Sequence, residues 1–230
     1  MTSLTIPLQW LVPKKSTEWR FECSTNLPDL VKTHRAASYF RQLVTLLEND
    51  SHIFDYHVKL QHNSWRNNNL DVIIYFGDPT RTINPSPTTI CISCEPTHEL
   101  SVASLLSEQQ YTRAWLDARA REKIVVTPIR HIERLSELID ENGEAEVFWQ
   151  DVVELVEKET GYVKGFYPNM IINHGTYRNH LHLHLKINFT KPIWYANIAP
   201  RHQKALKNIR KLSKDPTIVQ DCFGENYSAE

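Results

Sequence analysis

The sequence predicts an α+β fold, in which an N-terminal α+β extension precedes a larger second domain. Apolar residues recur at helical spacing near the N-terminus and predict a helix there: Leu30, Ala37, Phe40, Val44 and Leu47. Alternation over residues 53–60 and an apolar run over 70–76 predict two strands. Residues 77–89 are rich in proline and threonine, which favours a linker. We therefore expect a domain boundary near residue 85, between an extension of unknown role (1–85) and a second domain (86–230).

The second domain is predicted to mix strands with one long helix. One apolar face runs from Ala145 to Val156 and predicts a helix over about 143–160, which Gly161 ends as a C-cap glycine. The other predicted elements are strands at 113–117, 123–128, 169–173 and 179–189, a short helix at 130–139, and a basic helical tail at 201–214.

Composition excludes several classes of function. The net charge of -1 argues against a general affinity for nucleic acid or an anionic membrane. No apolar run approaches the roughly 18 residues that a membrane helix needs, and the first 13 residues do not resemble a signal peptide. We therefore expect an intracellular protein, cytoplasmic or nuclear, with no membrane partner. In that compartment the C-x-x-C pair, Cys91 and Cys94, favours a metal or redox role over a structural disulfide.

Three histidines alternate with leucines in the most informative stretch of the sequence, at His180, His182 and His184. In an extended strand the three imidazoles would lie on one face and the leucines on the other. Two of them could share a metal ion, but residues four apart are roughly 13 Å apart along a strand, so one ion does not explain all three. Three histidines with different catalytic roles explain the pattern better. One imidazole would attack the substrate, and its neighbours would orient that imidazole and polarise the substrate.

This pattern resembles the histidine triad superfamily of nucleotide hydrolases and transferases. The resemblance extends over residues 90 to about 190 and includes the C-x-x-C pair, the strand that ends at Asp117, and a Pro-x-x-His turn from Pro128 to His131. It implies an antiparallel sheet with packed helices. No resemblance was found for residues 1–85.

The resemblance also implies a role for each histidine. His182 would be the nucleophile, oriented through a ring N–H bond to the backbone carbonyl of His180, and His184 would contact the phosphate. Asn173, Thr176 and His131 are the expected substrate-binding residues. A neutral imidazole suits nucleophilic attack because its ordinary pKa of about 6.5 leaves much of it uncharged at pH 7.

Some members of the superfamily hold a structural zinc ion, and the resemblance implies the ligands here. They would be Cys91, Cys94, His131 and His180, a closed set of two thiolates and two imidazoles. His98 is a competing ligand because it follows Cys94 closely. No organic cofactor is expected.

The predicted function is that of a nucleotide phosphoryl hydrolase or nucleotidyl transferase acting through a covalent nucleotidyl-histidine. The candidate substrates are dinucleoside polyphosphates, nucleoside phosphoramidates, adenylylated species and a capped-RNA fragment. One alternative is a non-catalytic protein of the same fold that binds nucleotide or RNA, which the basic stretch 201–214 favours. Another is an interaction domain stabilised by zinc. The resemblance also allows a homodimer.

Overall fold

The structure is a computed structural model that describes residues 9–15, 17–63, 68–78, 80, 88, 90–138, 143–163 and 166–223. Its described strands form an antiparallel sheet with the spatial order β1-β2-β4-β3-β8-β9-β7-β6-β5. The strands are β1 (Gln9–Lys15), β2 (Glu18–Glu22), β3 (Tyr56–Asn63), β4 (Asn69–Phe76), β5 (Leu105–Glu108), β6 (Thr112–Leu116), β7 (Lys123–Pro128), β8 (Asn169–Asn173) and β9 (Leu185–Asn188). The predicted α+β class with an antiparallel sheet is confirmed.

The described helices are mostly short, and one long helix dominates. The α-helices among them are α1 (Leu27–Lys32), α2 (Ala36–Val44), α3 (Glu99–Ser104), α4 (Leu135–Leu138), α5 (Glu144–Thr160), α6 (Lys191–Ile193), α7 (Gln203–Leu212) and α8 (Pro216–Phe223). α5 ends at Gly161, whose φ of +66° is the left-handed conformation that glycine adopts without strain. None of the described helices combines the length and the apolar character that a membrane-spanning segment requires.

The N-terminal segment and the later residues share one sheet and one core. β3 pairs with β8, so that Val58 lies opposite Ile172 across the junction. Phe40 of α2 stacks on Trp149 of α5 with ring centroids 3.9 Å apart, and both side chains are buried. Residues 81–87 lie outside the described residues, and the boundary near residue 85 stays a prediction. The strands on its two sides nevertheless form a continuous sheet.

The histidine segment differs from the strand predicted over 179–189. β9 begins only at Leu185, and the chain bends through residues 179–182. Leu181 is therefore 39% exposed, whereas Leu183 is buried in the core. The bend also brings the rings of His180 and His184 to 6.1 Å, far closer than four residues of extended chain allow. Residues 216–223, for which the sequence predicts no element, form α8.

Candidate active site and metal centre

The C-x-x-C pair forms a tight turn that is fixed to the sheet. The amide of Cys94 donates to the carbonyl of Cys91 at 2.8 Å, which brings the two thiols to one side of the turn. Arg113 of β6 donates from Nη1 to the Ser93 carbonyl at 2.9 Å. The turn is thereby held beside the strands from which the histidines approach.

Four side chains meet at this turn: Cys91, Cys94, His131 and His182. Their ligand atoms all lie within 4.8 Å of one another. Nδ1 of His182 is 3.5 Å from the Cys91 sulfur and 3.4 Å from the Cys94 sulfur, and Nδ1 of His131 is 3.1 Å from the Cys94 sulfur. Tetrahedral zinc, with bonds of about 2.3 Å to sulfur and about 2.0 Å to nitrogen, separates such atoms by roughly 3.6 Å. The donor set therefore fits a tetrahedral metal ion such as zinc.

The Cys91 thiol is neutral in the absence of a metal ion. Burial, together with the neighbouring Cys94, raises the pKa of the Cys91 thiol to about 12, because a thiolate is disfavoured there without a counter-charge. A coordinated metal ion reverses that effect and deprotonates the thiol. The cluster therefore has the geometry of a metal centre, and metal binding there would release the Cys91 proton.

Both ring nitrogens of His182 are engaged. Nε2 lies 2.9 Å from the backbone carbonyl of Pro128, and a carbonyl can only accept, so Nε2 carries the proton. In the neutral ring the lone pair is then on Nδ1, which faces the two thiols. A second-sphere bond to a carbonyl is the usual arrangement for a metal-bound histidine. With a 0% exposed side chain, His182 has the environment of a ligand.

His184 has the arrangement that the sequence predicts for a nucleophile. Its Nδ1 lies 2.8 Å from the backbone carbonyl of His182, so Nδ1 carries the proton and Nε2 carries the lone pair. Burial lowers the pKa of the imidazole well below its ordinary value, and the nearby Lys186 lowers it further. The ring is therefore neutral at pH 7. The sequence analysis expects a bond from the ring N–H of His182 to the carbonyl of His180. The structure has the equivalent bond from His184 to the carbonyl of His182.

His180 is not the fourth member of the thiol cluster. Its Nε2 lies 3.4 Å from the Cys91 sulfur, but the donor atoms that all lie within 4.8 Å of one another include those of His182 and not those of His180, so His182 takes the predicted place. His98, the competing candidate, caps α3 through Nδ1 and lies 4.0 Å from Cys222. The structure thus brings three of the four predicted metal ligands together and replaces the fourth.

A cleft adjoins the cluster on the open face of the sheet. Its lining includes His180 and His184, Asn179, Lys186, and the loop after β6 with Asp117, Arg119 and Arg121. Both carboxylate oxygens of Asp117 bond Arg121, at 2.9 Å to Nε and 2.8 Å to Nη2. His182 is not among the lining residues. The cleft thus presents His184, and not His182, to a bound molecule.

The predicted substrate-binding residues do not line this cleft. Asn173 ends β8 opposite His57 and is 8% exposed. The amide of Thr176 donates to the Asp55 carboxylate at 2.7 Å, and a carboxylate at that place repels phosphate. His131 contacts Cys94 instead, in the metal cluster.

From the sequence, Lys186 is expected near the end of the phosphate face, with no role of its own in the reaction. It follows His184 by two positions, so the alternation that grouped the histidines also predicts a common face for Lys186. The signal in the sequence is a charged residue within the predicted strand, next to the histidines.

The fold is shared with solved structures of three proteins. The chain is similar to a uridylyltransferase, with a TM-score of 0.54 and 13% identity over 91% of this chain and 77% of that one. It is similar to a GalT-like protein from Arabidopsis thaliana, with a TM-score of 0.53 and 12% identity over 92% and 80% of the two chains. For an ADP-glucose phosphorylase from Arabidopsis thaliana with bound ADP-glucose, the TM-score is 0.52 and the identity 13%, over 85% and 74%.

Identities this low establish the fold and no finer relationship. No protein-family model and no curated protein sequence matches the chain. The chain therefore has the fold of these uridylyltransferase and phosphorylase structures, with a metal-type cluster and a cationic cleft side by side on its sheet.

Proposed function

We propose that this protein is a nucleotidyl transferase or nucleotide phosphohydrolase that works through a nucleotidyl-histidine, with His184 as the attacking residue. One observation carries the proposal: the ring of His184 is held through Nδ1 and lines the cleft, while both nitrogens of His182 are occupied. The three proteins with the same fold support nucleotidyl transfer in general, since a uridylyltransferase is one of them.

The first step forms a bond from Nε2 of His184 to the α-phosphorus of a nucleotide. The bond from that phosphorus to the bridging oxygen breaks, and the oxygen departs with the electron pair. The imidazole becomes positively charged, and its Nδ1–H remains bonded to the His182 carbonyl, whose partial negative charge stabilises the cation. The ring needs no base to activate it because its neutral tautomer already has the lone pair on Nε2.

The second step returns the imidazole to its starting state. An acceptor oxygen attacks the phosphorus, the N–P bond breaks, and the electron pair returns to Nε2. The acceptor proton leaves to solvent or to a group of the substrate. Water as acceptor gives hydrolysis, and a phosphate or another hydroxyl gives transfer, so one intermediate serves both activities.

The metal cluster has a supporting role in this proposal. Cys91, Cys94, His131 and His182 would hold zinc, which fixes the turn, the loop after β7 and the histidine segment to one another. Because the carbonyl of His182 orients His184, a displaced His182 ring would also displace the nucleophile. Metal loss should therefore lower activity without any direct part for the metal in the reaction.

Trapping the intermediate tests the proposal. Protein incubated with ADP-glucose or UDP-glucose labelled at the α-phosphate, then denatured without acid, should carry label on a peptide that contains His184. His184→Asn should lose the label and at least about 10³-fold in turnover, as other covalent nucleophiles do when deleted. It should keep its zinc and its melting temperature. His34→Asn is the matched control, because His34 is exposed at the end of α1 and far from the cleft in sequence.

Two outcomes would overturn the proposal. Label on His182, or wild-type turnover in His184→Asn, would contradict the assignment of the nucleophile. Tight nucleotide binding without label or turnover in the wild-type protein would favour the alternative of a non-catalytic nucleotide-binding protein.

A further inference from the structure

Lys186 is a cation that forms no ion pair within 4.0 Å in the described part of the chain, although Asp117 lies near enough to raise its pKa. Its ammonium donates to the side-chain oxygen of Asn179 at 3.2 Å, and that acceptor is neutral. Burial, reinforced by the neighbouring Lys123 and Arg121, lowers the pKa of the ammonium to about 8. Withdrawing a charge from water without a counter-charge costs free energy. The position therefore suits an anion supplied from outside the chain.

The cleft as a whole also has an excess of positive charge. Its charged lining residues are Lys186, Arg119, Arg121 and a lone carboxylate, Asp117. That carboxylate forms two bonds to Arg121, and it offsets only part of the positive charge around Lys186. The lining thus holds three cationic side chains and one carboxylate, so the described cleft residues carry more positive than negative charge. A phosphate-rich ligand complements such a surface.

Lys186 stands at a suitable distance from the nucleophile. Residues two apart in extended chain lie on one face with roughly 7 Å between their Cα atoms. The long Lys186 side chain can therefore reach a phosphate joined to the one that His184 attacks. The same two side chains line the cleft, so one bound diphosphate can contact both.

We propose that Lys186 is a specificity-determining residue that binds the second phosphate group of the substrate, so that the cleft selects nucleotides joined to their leaving group through a phosphoanhydride. The inference rests on the proposed function, because it assigns the leaving group at the same site. It separates the candidate substrates: dinucleoside polyphosphates and nucleoside diphosphate esters have a phosphate leaving group, whereas phosphoramidates have an amine.

The chemistry of the leaving group explains the selection. When Nε2 of His184 bonds to the α-phosphorus of a diphosphate ester, the bridging oxygen leaves on the second phosphate and gains negative charge. An ammonium beside that oxygen stabilises the charge as it develops. The amine of a phosphoramidate must instead gain a proton as it leaves, and a fixed positive charge does not assist that departure.

Turnover of matched substrates tests this role. ADP-glucose and UDP-glucose are compared with the phosphoramidates of the same two nucleosides, in wild type, Lys186→Met and Lys186→Arg. Lys186→Met should lower kcat/KM on the diphosphate esters by about 10²–10³-fold, the usual cost of removing one transition-state donor, and change the phosphoramidates by less than about 3-fold. Lys186→Arg should retain most of the activity. Lys59→Met is the control, because it makes the same substitution on the same face of the sheet at a residue that does not line the cleft. Lys59 lies two strands from Lys186: it pairs with Ile171, and Ile171 pairs with Lys186.

Equilibrium binding gives a second measurement that needs no turnover. By calorimetry, wild type should bind ADP over AMP, or UDP over UMP, by about tenfold or more, worth about 1.4 kcal/mol. Lys186→Met should lose that preference.

The outcomes separate this inference from the proposed function. Equal losses on both substrate classes, or equal wild-type affinity for diphosphate and monophosphate, would overturn the role of Lys186. A diphosphate preference that depends on Lys186, in a protein that turns over nothing, would support the phosphate site and refute the proposed function.

Discussion

Replacing His182 or His180 by asparagine should reveal which histidine completes the thiol cluster. His182 Nδ1 approaches both sulfurs at 3.4–3.5 Å, whereas a contact with Cys91 alone is found for His180. Structural zinc sites have apparent binding free energies of about 10–16 kcal/mol, or about 3 kcal/mol for each of four ligands. Losing one ligand should thus weaken zinc binding by about 10²–10³-fold. His182→Asn should show this loss, and His180→Asn should not.

Zinc retained per chain after equilibration against a competing chelator measures the effect directly. A loss of about 3 kcal/mol should also lower the melting temperature of the zinc-loaded protein by roughly 6–12 °C, at about 2–4 °C per kcal/mol for a chain of this size. Excess zinc should recover part of that loss by mass action. His182→Cys, which keeps a ligand, should retain more zinc than His182→Asn. Zinc loss in His180→Asn together with full retention in His182→Asn would refute the reasoning.

Three further predictions follow from packing and charge. Gly175→Ala should lower the free energy of unfolding by about 2–3 kcal/mol, because φ is +56° and a Cβ would lie 1.8 Å from Oδ1 of Asp55; an unchanged thermal melt would contradict it. Residues 86–230 alone should show no cooperative thermal transition, since β8 loses its pairing with β3 and Trp149 loses Phe40, and a sharp transition would show that the second domain is independent. The affinity preference for diphosphate over monophosphate should decline between about pH 7 and pH 9, because the pKa of Lys186 is about 8 and its charge is lost above that value. In Lys186→Arg the preference should stay constant over the same range, since arginine stays charged.

The sequence alone was enough to predict those elements whose burial depends on residues close to one another along the chain. β7 (Lys123–Pro128) and β8 (Asn169–Asn173) have the predicted bounds, and α5 starts one residue from its predicted start. In such elements the apolar pattern and the capping residues, such as Gly161, act over a few positions. The cysteine pair and the Pro-x-x-His turn are equally local motifs, which is why the resemblance to the histidine triad superfamily was enough to assign Cys91, Cys94 and His131 as ligands.

Only the tertiary structure decided the separate positions of the three histidines. The sequence pattern treats His180, His182 and His184 as one extended row, but two long-range hydrogen bonds reshape it. His182 donates to the Pro128 carbonyl at 2.9 Å, and the amide of Leu183 donates to the Ile132 carbonyl at 2.6 Å. Each bond joins segments about fifty residues apart in sequence, so no spacing within the row predicts them. They draw His182 into the cluster and leave His184 to the cleft, because a buried N–H must find an acceptor wherever the fold places one.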